Sequence, residues 1–404
     1  MSDLFPGFAP KTNQARINRN TELLLDASIA VLARDGWSRF TLAHVARQSG
    51  LSKKAAHDRV RTRSELAAAA WQARIAPMLS TKLNELALAL AESRATTNIA
   101  PVMLAILAFA LPGTAELAAA ELLVVAPFES DLNEVVNDNF KQTLLALITP
   151  SDQLTAEDAT RNAYVISLAL GLLMFNRFTN LNLPNMLEIC EHRLPVLLAD
   201  DPAQDLPYVP SAETGTIPVL DESDESLNRV LTATVELIGQ RGFENVAVAE
   251  IAAHAGFSEG FIFSRYKTKI DLFMDAANRL LAGNLARAAA HRQNLATQYD
   301  SDTANYLSFV DFMRPEHALV RSIALQQAQL AWHNKPLRDA NTEIIAAHFE
   351  KIEGINFEDH PQWPITVLSQ SARLGLRLIS SFEPAVWQLP HTVVLAPANA
   401  TRNS

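Results

Sequence analysis

Only one cysteine, Cys190, occurs in 404 residues. That excludes an internal disulfide and any cysteine-cluster metal site, and a reducing cytoplasm is the expected compartment. Glycine is scarce, at 13 residues, so sheets dense in tight turns are not expected. The opening stretch MSDLFPGFAPKTNQARINRN lacks an apolar h-region and does not read as a signal peptide. The longest apolar stretches, IAPVMLAILAFALPG and YVISLALGLLMF, are too short or too proline-bounded to span a bilayer. They are expected as buried core helices, with no membrane partner. No nucleophile–base pattern, phosphate loop or recognisable pair of carboxylates is found. Neither an enzyme nor a cofactor is expected.

What the chain does have is alanine and leucine at three- and four-residue spacing, as in LLLDASIAVLA and VLTATVELIG. That is helical periodicity, and the expected fold class is all-α. The length suits two or three domains. A formal net charge of −10 argues against a general nucleic-acid binder. The basic residues are nevertheless concentrated in one place. Residues 16–66 hold ten Lys and Arg against five acids, whereas residues 222–272 hold five against eight.

These two windows are one pattern written twice, 206 residues apart. Leu25 meets Leu231, Gly36 meets Gly242, Val45-Ala46 meets Ile251-Ala252, Gly50 meets Gly256, Ser52 meets Ser258, Arg59 meets Arg265, Thr62 meets Thr268 and Leu66 meets Leu272. No gap is needed over about fifty residues, and internal repeats take precedence over other readings. A fainter echo follows, with LALGLLMFNRF (168–178) resembling ARLGLRLISSF (372–382) and Gly171 standing against Gly375. The expected divisions are a first head at 16–66, a helical body at 67–200, a linker at 201–222, a second head at 223–272, and a second body at 273–390. Prolines after Phe382 are expected to reduce that second body's last helix.

Within the first head, residues 19–35 read as one helix ended by a left-handed Gly36. Thr41 is expected to cap a short helix, LAHVARQ, and Gly50 to make the turn. Ser52 is expected to cap a third helix over 53–60. Two short helices across a glycine turn form a helix-turn-helix, whose second member enters the DNA major groove.

The runs GWSRFTLAHVARQSGLSKKAAHDRVRTRSEL and GFENVAVAEIAAHAGFSEGFIFSRYKTKIDL resemble the DNA-binding domain of the TetR family of transcriptional regulators. The second run is the closer in its recognition segment, through Gly260, Phe263, Tyr266 and Lys269. The first departs at Lys54, His57 and Val60. The resemblance implies double-stranded DNA as partner, a helical body for dimerisation and effector binding, and a regulator, read here as a repressor. It also gives Arg63 and Lys269 a phosphate-contacting position. The DNA-contacting candidates are Thr41, Ser52, Lys53, Lys54, His57, Arg59, Arg61 and Arg63 in the first head. In the second they are Ser258, Phe263, Arg265, Tyr266, Lys267 and Lys269. Lys11, Arg16 and Arg19 form a basic N-terminal arm.

His44 and His57 have no partner at metal-ligand spacing, and EICEH (188–192) matches a metal motif only loosely, so no metal is expected. The bodies could hold a small apolar effector, with Phe309, Phe312, Gln329, Trp332 and His333 as candidates, although core packing explains the same residues. Gly171 permits close helix approach. The two bodies could pair within one chain as a pseudo-dimer, or between chains as a homodimer. The rival reading is a ligand-sensing or protein-interaction module with degenerate heads.

Overall fold

The computed structural model describes residues 9–178, 217–343 and 363–388. These residues are predominantly helical. No β-strand occurs among them, and an isolated bridge joins Ser151 to Leu154. In chain order the helices are α1 (Ala9–Asp35), α2 (Leu42–Gln48), α3 (Lys53–His57), α4 (Arg63–Ala70), α5 (Ala76–Thr96) and α6 (Ala100–Ala110). There follow α7 (Thr114–Val125), α8 (Ser130–Val136), α9 (Gln142–Ile148) and α10 (Ala156–Phe178). After residue 216 come α11 (Glu225–Arg241), α12 (Val248–Ala255), α13 (Glu259–Phe263), α14 (Lys269–Leu295), α15 (Ser301–Met313), α16 (Ala318–Trp332) and α17 (Trp363–Ser380). The chain divides into two compact units. One is Met1–Thr81 with Pro112–Gln142, and the other is Lys82–Leu111 with Thr143–Ser404.

In the first unit, α1 begins ten residues before the expected start at 19, and Lys11 and Arg16 therefore lie on helix. Gly36 ends it with φ 76° and ψ 177°, an extended positive-φ conformation rather than the expected left-handed helical one. Only glycine enters that region without strain. The sharp exit drops Trp37 and Phe40 into the interior, where their rings stack 5.6 Å apart and both are buried. Burial of each such ring contributes about 1.5–3 kcal/mol. Helix α7 packs on α1, and α8 on α4. The buried Glu121 of α7 accepts the Trp37 backbone N–H at 2.6 Å, which satisfies a donor the turn leaves orphaned.

In the second unit, α11 to α14 repeat this succession. The short 3-10 turns at Trp37–Arg39 and Phe243–Asn245 stand 206 residues apart, as do both ends of α3 and α13 and the starts of α2 and α12 and of α4 and α14. Gly242 and Gly256 take positive φ, as Gly36 and Gly50 do. The Phe243 N–H donates to the buried Gln326 Oε1 of α16 at 2.6 Å, in the manner of Trp37 and Glu121.

The second unit also holds the pairing of α10 with α17, the most extensive helix packing among the described residues. It is reciprocal. A Cβ on Gly171 would lie 1.7 Å from the Ser371 carbonyl oxygen, and one on Gly375 would lie 1.8 Å from that of Ser167. Backbone meets backbone at both points, and neither glycine can be replaced without moving a helix. Beyond Phe382 the chain forms a 3-10 turn, Pro384–Gln388.

Candidate nucleic-acid interface

Three local devices build the short helices of the first head, and two of them, the glycine turn and the serine cap, recur in the second, where Ala247 stands in place of the capping Thr41. In the first, the Thr41 hydroxyl accepts the His44 N–H at 3.2 Å and caps α2. Gly50 turns the chain at φ 71°. The Ser52 hydroxyl then accepts the Ala55 N–H at 3.1 Å and caps α3. Caps of this kind contribute typically about 1 kcal/mol, because they satisfy N–H groups that have no partner in the helix. Helix α3 ends at His57, three residues before the expected end at 60. Arg59 and Val60 both turn back to the Ala56 carbonyl, and Thr62 opens α4 by capping Glu65.

The α3 side chains divide sharply. Ala56 is buried and anchors the helix to the core, while Lys53, Lys54 and His57 are exposed. Thr41, Ser52 and Arg61 are exposed beside them, as is Arg47 of α2, which the sequence pattern did not single out. Arg59 and Arg63 are placed differently. Arg59 folds back on α3, donating from Nη1 to the Ala55 carbonyl at 2.5 Å. Arg63 lies 4.5 Å over the Trp37 ring and 3.4 Å from Glu129, the residue just before α8. Its guanidinium braces α4 against the turn at Trp37.

The second head has the same frame with other chemistry. Ser258 caps α13, and Thr268 caps α14 in a reciprocal box with Asp271. Glu259 and Gly260 stand exposed where the first head has its lysine pair. Phe263 is half exposed, and Phe261 stacks on Phe257 at 4.3 Å. Arg265 lies 3.9 Å over Phe261 and 3.4 Å from Asp224. Lys267 is exposed. The Tyr266 hydroxyl donates to Asp275 at 2.5 Å, and burial, then that carboxylate, holds its ionisation far above the usual phenol range. The Lys269 ammonium donates to the carbonyls of Phe243 at 2.5 Å and Val246 at 2.9 Å, over the Phe243 ring, and burial pushes its pKa down. The sequence pattern gave no sign of these inward commitments, since they depend on where the turn at 243–246 lands.

Among the effector candidates, Phe309, Gln329 and Trp332 are buried, and Phe312 and His333 partly so. The structure sorts them into two neighbourhoods that their spacing did not reveal. Arg177 of α10 lies 4.6 Å over Trp332 and 3.5 Å from His333. Arg373 and Arg377 of α17 lie over Phe309 and Phe312. Cys190, EICEH, Phe349 and most of the expected linker lie outside the described residues.

Capped short helices across a positive-φ glycine, the second exposing cations, are the helix-turn-helix class of DNA-binding structure. Residues 230–282 match the family of bacterial regulatory proteins, tetR family. A stretch of 127 residues is 23% identical to the fatty acid metabolism regulator protein of Bacillus subtilis (strain 168), over 31% of this chain. The chain thus spans 64% of that relative, just under two thirds of its length. Together these similarities mark residues 230–282 as a TetR-type segment. Among the described residues no single helix is long and apolar enough to cross a membrane.

Proposed function

We propose that this chain is a tandem TetR-like transcriptional regulator, acting as a repressor and without catalytic activity. In this reading it carries two helix-turn-helix heads, at 16–66 and 223–272, each followed by a helical body. The bodies pair within the chain through α10 and α17, in place of the two subunits of a homodimer. The observation that carries the reading is the recurrence of caps, turns and positive-φ glycines at a constant 206-residue offset. A small effector held by the body around Phe309, Phe312, Gln329, Trp332 and His333 releases the DNA.

The heads are unequal. The first meets DNA through Lys53, Lys54, His57 and Arg61, with Thr41 and Ser52 beside the backbone. Its lysines have no counterparts in the second, where Glu259 and Gly260 stand. Selection of bound sequences from random duplex DNA tests the proposal. Two unlike half-sites are expected. A perfect palindrome would contradict two divergent readers in one chain.

A second reading is favoured by one feature of the second head. Lys269 and Arg265 spend their charge on the head's own carbonyls, ring and Asp224. In that reading the second head is kept for packing. Enrichment of a single half-site, unaltered when residues 53–60 are grafted onto 259–266, would establish it.

A further inference from the structure

Helices α15, α16 and α17 bring together an arrangement of charge that folding alone does not call for. Arg373 and Arg377 stand at i and i+4 on α17, where like charges repel. Arg373 lies 5.4 Å over the Phe309 ring and Arg377 lies 5.1 Å over that of Phe312. Arg321 of α16 is buried at 3% exposure and reaches the end of α17, donating from Nε to Ser380 Oγ at 3.1 Å. Its Nη1 donates to the carbonyls of Phe312 and Arg314, both at 2.7 Å. All three of these acceptors are neutral.

Arg377 is part-buried. Its Nε is buried with no hydrogen-bond partner, and no carboxylate among the described residues pairs with it. Asp311 is 3.4 Å from Arg314 and 3.6 Å from His317. Glu316 acts on Arg321. Burial, then Arg373 and Arg321, pulls the Arg377 pKa down to about 10. Burial likewise lowers Arg321 to about 10. A guanidinium stays charged at neutral pH, so it cannot escape burial by losing its proton. Ring faces offset part of the cost, and an anion would offset the rest.

We propose that Arg377, with Arg373 and Arg321, receives the carboxylate of a small organic anion whose apolar body lies against Phe309 and Phe312. A planar guanidinium fork matches a carboxylate in two parallel hydrogen bonds. This rests on the effector reading above and narrows it from an apolar molecule to an amphipathic anion.

The test uses the full chain, with hexanoate and benzoate as probes against hexanol and benzyl alcohol at equal ionic strength. Binding is followed by calorimetry and thermal melting. The carboxylates should bind about tenfold or more tightly than the matched alcohols. Arg377→Met should abolish that difference, yet melt no lower than wild type without any probe, since it removes a part-buried charge that no carboxylate among the described residues offsets. Arg377→Lys, which keeps charge but not the fork, should retain part of the preference. Equal affinity for acid and alcohol, no binding of either acid, or an unchanged preference in Arg377→Met would overturn the proposal. So would an Arg377→Met protein melting well below wild type, which would mark the guanidinium as a satisfied structural group. Fluorescence anisotropy of bound DNA separates the two readings. Carboxylate binding that leaves DNA affinity unchanged keeps this site and removes the effector role. Release of DNA by the alcohols alone does the reverse.

Discussion

Lys53 and Lys54 sit in the first turn of a five-residue helix, exposed, with the buried Ala56 fixing the helix beneath them. In the proposed reading these cations act on phosphates, and the cost of removing them is read in salt dependence rather than in stability. Replacing both lysines by alanine should weaken operator binding and reduce the log–log salt slope by about 0.9 for each phosphate no longer neutralised. Melting should be nearly unchanged. An unaltered slope in a filter-binding salt series would remove their phosphate role. Arg59 and Arg63 carry the same formal charge, but one is folded on its own helix and the other lies over Trp37. Arg63→Ala should therefore lower stability as well as affinity, and thermal melting distinguishes it from the lysine pair.

At the scale of elements, Asp221 helps hold the segment before α11, beside Asn228, whose Oδ1 accepts the Leu220 N–H at 2.7 Å. Asp221 accepts the Ser223 hydroxyl and the backbone N–H groups of Ser223 and Asp224, and pairs with Arg279 of α14 at 2.7 Å. These bonds, led by the Ser223 hydroxyl, hold its pKa down to about 2. A carboxyl whose folded pKa is depressed stabilises the fold above its unfolded value of about 4, and that contribution is lost as pH falls towards 2. Asp221→Asn should flatten the acid limb of stability between those values, as followed by circular dichroism. The glycines offer a paired test. A Cβ at Gly260 meets nothing closer than Ser258 Oγ at 3.6 Å, so Gly260→Ala should stabilise by up to about 1 kcal/mol through helix propensity. Gly171→Ala should have the opposite sign, with overpacking costing about 1–3 kcal/mol, because its Cβ runs into the Ser371 carbonyl. Denaturant midpoints check both.

At the scale of the whole molecule, the reciprocal approach of Gly171 to Ser371 and of Gly375 to Ser167 underlies the proposed pairing of the two bodies within one chain. If that surface is spent internally, light scattering should give the chain mass of 44.3 kDa, unchanged on dilution. Twice that mass, persisting on dilution, would instead favour pairing between chains. Gly171→Leu should then matter beyond its local cost, since it forces apart the helix pair through which the two proposed bodies meet.

The all-helical class and the four turning glycines were legible in the sequence, because each depends on short-range rules. Periodicity sets the helices, a hydroxyl three residues before an N–H sets a cap, and positive φ favours glycine. Gly36 shows the limit even there, since its position was readable but its ψ was not. Everything that depends on residues far apart was left to tertiary structure. That includes Lys269 turning inward to Phe243 and Val246, Glu121 and Gln326 satisfying two orphaned N–H groups, and Arg321 meeting the end of α17. Net charge along a window records how many cations a head carries. Only packing decides which of them face solvent, because desolvation and hydrogen bonding act on side chains brought together by the fold and not by the order of the chain.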